Sequence, residues 1–140
     1  MKILLAADGS PFTHRAMEFL ATHPELVAQG GELLVLNVQP VVHGPVITML
    51  GSADVALFHE EEFAKVLKPV EQFLKERGMQ YRCIKVVGAA VDEIVAAAKR
   101  EQVSLIVMGT QGLGWLGRAL LGSIAQRVLA ESEQPVLLVK

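Results

Sequence analysis

The chain has 140 residues, 51% of them hydrophobic, enough to bury the core of one domain, and nothing marks a second. Its 13 Lys and Arg stand against 15 Asp and Glu for a formal net charge of −2, and five Phe, one Trp and one Tyr are scattered along it, so the basic, aromatic-rich surface that nucleic acid requires is missing. One cysteine, Cys83, cannot close an internal disulfide, and the first apolar run stops at Asp8, short of a signal-peptide core or the roughly 20 residues of a membrane span; the expectation is a soluble, cytoplasmic protein with no nucleic-acid or membrane partner.

In chain order, the run Ile3 to Ala7 predicts a first strand, closed by Asp8, Gly9 and Ser10. Ser10 as N-cap with Pro11 at the first helical position predicts a helix burying Phe12, Ala16, Phe19 and Leu20, which Pro24 ends. Leu33 to Val38 reads as a second strand. From Gln39 to Ser52 the chain holds Pro40, Gly44, Pro45 and Gly51 without a period, which predicts the longest loop and a candidate flap. Phe63, Val66, Leu67, Val70, Phe73 and Leu74 then follow helical spacing, with Glu60, Glu61 and Glu62 as a solvated face near the start and Pro69 as a kink. Cys83 to Val87 is a third strand. Val91, Ile94, Val95 and Ala98 form the face of a third helix, whose Asp92 and Glu93 at the start and Lys99 and Arg100 at the end match its dipole.

A fourth strand, Leu105 to Met108, opens the most informative stretch, since five of the twelve glycines fall between Gly109 and Gly122. Glycine lets backbone N–H groups approach an anion closely and reaches the positive φ values that turn donors inward. Ser123 with Gln126 forms a capping-box pattern ahead of a helix whose face is Leu121, Ile124, Ala125, Val128 and Leu129. Strand, glycine loop and helix N-terminus in that order make a phosphate cradle that needs no lysine. Val136 to Val139 completes the set as a fifth strand. The strands are apolar on both parities, which suits a parallel sheet covered on both faces. The predicted fold is therefore α/β, a five-stranded, doubly wound, Rossmann-like parallel sheet, with its ligand crevice at the carboxyl ends of the strands where their order reverses.

With these residues in view, the sequence resembles the nucleotide-binding branch of the universal stress protein family from Lys2 to Lys140. The branch's spacing of Gly, two residues, Gly, nine residues, Gly, then Ser or Thr is matched by Gly109, Gly112, Gly122 and Ser123, and the opening Ala6-Ala7-Asp8-Gly9-Ser10 and closing Gln134 to Val139 are also typical. The resemblance implies a fold of the adenine nucleotide alpha hydrolase-like kind and an ATP site, with Mg²⁺ as a candidate companion of the phosphates. In it Asp8 lies near the ribose, Ala6 and Ala7 join the cofactor-binding residues, Val38 meets adenine, and Met108, Gly109, Thr110, Gly112, Gly122, Ser123 and Ile124 surround sugar and phosphates. It also implies a homodimer joined through Val136 to Val139, a strand that would otherwise expose an unpaired edge. A side chain at Gly122 should then fill phosphate space and leave the fold intact. Gln111 departs from the family's common His or Arg, so Arg118 or Arg127 would have to supply any cation.

Other readings stand beside these. Asp8 also fits a turn or capping carboxylate; a receiver's phospho-acceptor fits poorly, because Val87 and Gly88 follow the third strand where that acceptor would stand. Ser123 also fits a plain N-cap. Trp115 with Leu113, Leu116, Leu120 and Leu121 gives the loop an apolar side, either local packing or a partner surface. His14, His23, His43 and His59 lack metal-ligand spacing and read as surface residues, and Cys83 reads as core. Three functions follow: a nucleotide-dependent regulator of the stress response acting through a partner or its own dimer, a slow ATPase or phosphoryl-transfer enzyme, and a nucleotide-free interaction module. The enzyme is disfavoured by the missing G-x-x-x-x-G-K-[ST] loop and the lack of a base to position water.

Overall fold

The structure, a computed structural model, describes residues 1–27, 30–112 and 121–140. Its elements are β1 Lys2–Ala6, α1 Pro11–Thr22, β2 Glu32–Gln39, α2 Gly44–Leu50, α3 Ser52–Glu76, β3 Arg82–Val87, α4 Ala90–Arg100, β4 Leu105–Gly109, α5 Ser123–Glu131 and β5 Val136–Val139. The five strands pair in parallel in the order β3-β2-β1-β4-β5. The chain steps outward from β1 to β3, then crosses back to lay β4 on the other side of β1. The order reverses there, so the carboxyl ends of β1 and β4 diverge around a crevice.

Two-residue alternation sorts the strand side chains into two apolar layers. Ile3, Leu5, Leu33, Val35 and Val107 pack beneath α1 and α3, with Ala16, Leu20, Phe63, Leu67 and Leu74. Leu4, Leu34, Leu36, Ile106 and Met108 pack beneath α4 and α5, with Ile94, Ala97, Ala98, Ala125 and Val128. Covering both faces is what makes the strands apolar on both parities, as the sequence led us to expect.

The helices depart from expectation in informative ways. α1 starts as read, with the Thr13 N–H donating to Ser10 Oγ at 3.4 Å, and stops at Thr22 before Pro24. Its buried stripe is Thr13, Ala16, Met17 and Leu20, and Phe12 and Phe19 are half-buried at its margins. The expected loop from Gln39 to Ser52 contains α2, because Pro45 falls in the first turn, where a missing N–H costs no hydrogen bond. α3 begins at Ser52, which places Glu60, Glu61 and Glu62 inside it, and it continues through Pro69. His59, read as a surface residue, is buried beside Phe58 and Phe63 with Nδ1 lacking a hydrogen-bond partner. On α5 only Ala125 and Val128 are buried, while Ile124 and Leu129 face water. Cys83 is half-buried in β3, and burial pushes its thiol up to about 11, which keeps it protonated and inert near neutrality.

A charge ring closes the amino ends of the strands, opposite the crevice. Lys2 Nζ lies 3.3 Å from Glu32 and 3.4 Å from Glu101, and Arg82 reaches Glu32 at 3.0 Å and Glu101 at 2.7 Å. The Arg82 guanidinium holds both carboxyls below their ordinary value of 4.5. A depressed carboxyl adds stability that is complete above the unfolded-state pKa and vanishes as pH falls through the folded one. Urea midpoints should therefore drop as pH is lowered through the range below about 4.5. In Arg82→Met that drop should be shallower; an unchanged acid slope would show that the ring contributes nothing.

Candidate functional site

The segments that follow β1, β2, β3 and β4 meet the head of α5 around a cavity of about 700 Å³, a volume suited to a small organic ligand. β1 and the turn after it contribute Ala6, Ala7 and Asp8; β2 contributes Val38; β4 contributes Met108 and Gly109. Gly112 follows, and Gly122, Ser123 and Ile124 come from the α5 end. Of the expected site residues, Thr110 alone is absent from the wall. It is buried, its N–H donating to Val139 O at 2.9 Å and its carbonyl accepting from Gly122 N–H at 2.6 Å. Its role is to tie the glycine loop to β5. Residues 113–120, including Trp115, Leu116, Leu120 and Arg118, lie outside the described residues.

Asp8 is held by its own turn. Oδ1 accepts from Ser10 N–H at 2.9 Å and from the Thr13 hydroxyl at 2.8 Å, and the Asp8 N–H donates to Thr13 Oγ1 at 3.1 Å. The first contact is an Asx-turn, and the buried Thr13 locks it, so Oδ2 is directed at Gly112. Thr13 also lines the cavity, a role that sequence reasoning missed. Its signal was the Asp-x-x-x-x-Thr spacing around the Ser10 cap. Asn37, a lone polar residue in an apolar strand, was missed as well. It is buried, donates to Ala7 O at 2.7 Å and accepts from Gln39 Nε2 at 2.7 Å, fixing the rim between β1 and β2. Gly88 N–H donates to Gln39 O at 2.9 Å and fixes the next stretch of rim.

The head of α5 differs from the expected capping box. Gly122 is the N-cap, with φ −69°, Ser123 is the first helical residue, and Gln126 donates its side chain to Leu121 O at 2.9 Å. The first intrahelical bond runs from Gln126 N–H to Gly122 O, so the amides of Ser123, Ile124 and Ala125 have no acceptor within the helix. These are the donors available to an anion, since the Gly122 N–H is committed to Thr110.

Positive φ is not why the motif needs glycine. The described glycines at positive φ are Gly9, Gly30, Gly51 and Gly78, and Gly109, Gly112 and Gly122 are not among them. Close approach explains them instead. A Cβ on Gly109 would lie 2.3 Å from Phe12 Cβ, and one on Gly112 would lie 2.7 Å from Asp8 Oδ2. A Cβ on Gly122 would meet Thr110 O at 3.3 Å and Gln111 Cα at 3.4 Å, so a side chain there requires the loop to give by a few tenths of an ångström.

Among the described wall residues Asp8 is the one ionisable group, and no Lys or Arg is present. Arg127 does not supply the missing cation, because it is paired with Glu131 at 3.0 Å and leans toward Asp92 at 3.8 Å. No group of three or more His, Cys, Asp or Glu gathers among the described residues to hold a metal, and no described helix is long and apolar enough to cross a membrane. Chemically, the wall offers a fixed carboxylate oxygen for hydroxyl donors, an apolar side at Leu36, Val38 and Met108 for a flat ring, and helix-end amides for an anion.

Comparison with known proteins gives the family and the fold. The model of the universal stress protein family matches residues 1–140. A universal stress protein of Thermus aquaticus is 37% identical over 99% of this chain and 97% of its own length. The solved structure of hypothetical protein MJ0577, from Methanocaldococcus jannaschii, superposes with a TM-score of 0.79 at 31% identity, covering 99% of this chain and 94% of that one. A universal stress protein solved in complex with cAMP superposes with a TM-score of 0.73 at 25% identity, covering 100% and 97%.

Proposed function

Because the chain belongs to the universal stress protein family, we propose that its cavity binds an adenine nucleotide, ATP foremost, and that occupancy itself is the signal the protein delivers. The observation that carries this reading is the placement of Asp8 Oδ2, an apolar wall and the α5 amides around one cavity of nucleotide size. Asp8 would accept from ribose hydroxyls, a charge-assisted contact, and stand apart from the phosphates that would repel it. Val38 would pack on the base, and the α5 N-terminus would meet the phosphates, with Mg²⁺ carried on the phosphates themselves. The cAMP complex of a relative supports an adenine ligand of this kind. Binding would change the surface seen by a partner or a second subunit. Nucleotide-stripped full-length protein should bind ATP in calorimetric titration, with and without Mg²⁺, and release no ADP over hours. No heat at millimolar ATP would overturn the proposal, and steady ADP production would replace it with an enzymatic one.

The same family relation supports a homodimer through β5. The bonds Ile106 N–H to Pro135 O and Thr110 N–H to Val139 O show that odd-numbered residues of this edge strand face β4, so Val136 and Leu138 turn their backbone groups outward. Leu138→Pro removes an outward donor and spares the β4 ladder. It should sediment as a monomer, and an unchanged dimer would exclude this edge as the interface.

A further inference from the structure

Residues 40–53 contain no charged side chain, yet the helix they build is bathed in water. Every residue of α2 is exposed, including Val46 (42%), Ile47 (41%), Leu50 (47%) and Met49 (85%). A surface helix normally turns polar residues outward, and a contiguous apolar exposure of this kind marks a surface that spends part of its time covered.

The two ends of α2 tie it to the cavity wall and to α3. Its amino-terminal tether starts at Pro40, which is itself part of the cavity wall, and only Val41, Val42 and His43 separate that wall from the helix. Its other end is Gly51, at φ +80° with open space around it, which passes directly into α3. A glycine in that conformation is a one-residue pivot against a long fixed helix. The principal contacts of α2 are with α3 and not with the sheet. The cavity wall carries an exposed apolar side chain of its own, Ile124, which is 42% exposed.

We propose that α2 is a lid, hinged at Gly51 and tethered at Pro40, which closes its Val46, Ile47 and Leu50 side over the Val38 end of the occupied cavity. The lid rests on the nucleotide reading above and adds a step to it: ligand enters an open site, and closure buries rim, lid and ring together. Closure then sets the residence time, and the α2 surface, exposed when the site is empty and covered when it is full, reports occupancy to the outside.

Hydrogen exchange on the full chain, with and without saturating ATP and separately with cAMP, tests this. Protection of the amides of both α2 and the first turn of α5 is the expected result. Protection of α5 alone would overturn the lid and leave the nucleotide site standing, and protection of neither would overturn both. Ile47→Lys, an exposed change outside the cavity wall, should speed ATP release about tenfold with little effect on association. Release at the parent rate would likewise overturn the lid.

Discussion

Gly109→Ala is expected to cost about 3 kcal/mol of stability, out of the 5–15 kcal/mol typical of a domain. The added Cβ would stand 2.3 Å from Phe12 Cβ, 3.1 Å from Phe12 C and 3.2 Å from Phe12 Cα. Two of those atoms are backbone, so no change of rotamer relieves the clash, and α1 must lift from the end of β4. Lifting α1 opens the layer that Ala16 and Leu20 share with the sheet, and it drags Thr13 away from Asp8. The matched control is Gly44→Ala, where the new methyl meets nothing within 4 Å and glycine is in no special conformation, so stability should stay level or rise slightly. Urea midpoints of the two variants make the comparison. Equal midpoints would mean that α1 does not dock on Gly109, and would return this glycine to the phosphate-binding role that the motif alone suggests.

That example shows where the sequence could be read and where it could not. The sheet was legible because strands covered on both faces are apolar on both parities, and five such runs, interrupted only by Asn37 and Lys85, stand clear of the helical periods between them. The short run of β5 lies at one outer edge of the sheet. The region between Gln39 and Ser52 was misread because Pro and Gly punctuate helix ends as readily as loops, and α2 uses both, Pro45 in its first turn and Gly51 after its last. The residues expected at the site, Thr110 apart, line one cavity, because motif glycines, a strand-end aspartate and a helix start converge at the switch point between β1 and β4. Their reasons were less legible. Backbone handedness and space are both satisfied by glycine, and only coordinates separate them: space governs Gly109 and Gly112, whereas handedness governs Gly9 and Gly51. Thr13 and Asn37 escaped because a polar residue that hydrogen-bonds to a turn from inside the core has no period to betray it.

Gly112→Ala should lower ATP affinity about a hundredfold, close to 2.7 kcal/mol, while leaving the melting temperature within a few degrees of the parent. The new methyl would lie 2.7 Å from Asp8 Oδ2, the far end of a side chain, so the fold can give way cheaply where the carboxylate turns aside. Binding cannot give way as cheaply, because Oδ1 is already engaged by Ser10 N–H and Thr13 and Oδ2 is the oxygen left for a ribose hydroxyl. Losing one hydrogen bond to a charged group costs about 1.5–3 kcal/mol, which covers the expected effect. If the damage passes through Asp8, then Asp8→Ala and Gly112→Ala share one contact and their costs will not add. Calorimetry on both single variants and the double variant measures that coupling. Should Gly112→Ala weaken ATP a further hundredfold in the Asp8→Ala background, the glycine would be facing the ligand directly and the assignment of Asp8 Oδ2 to the sugar would fall.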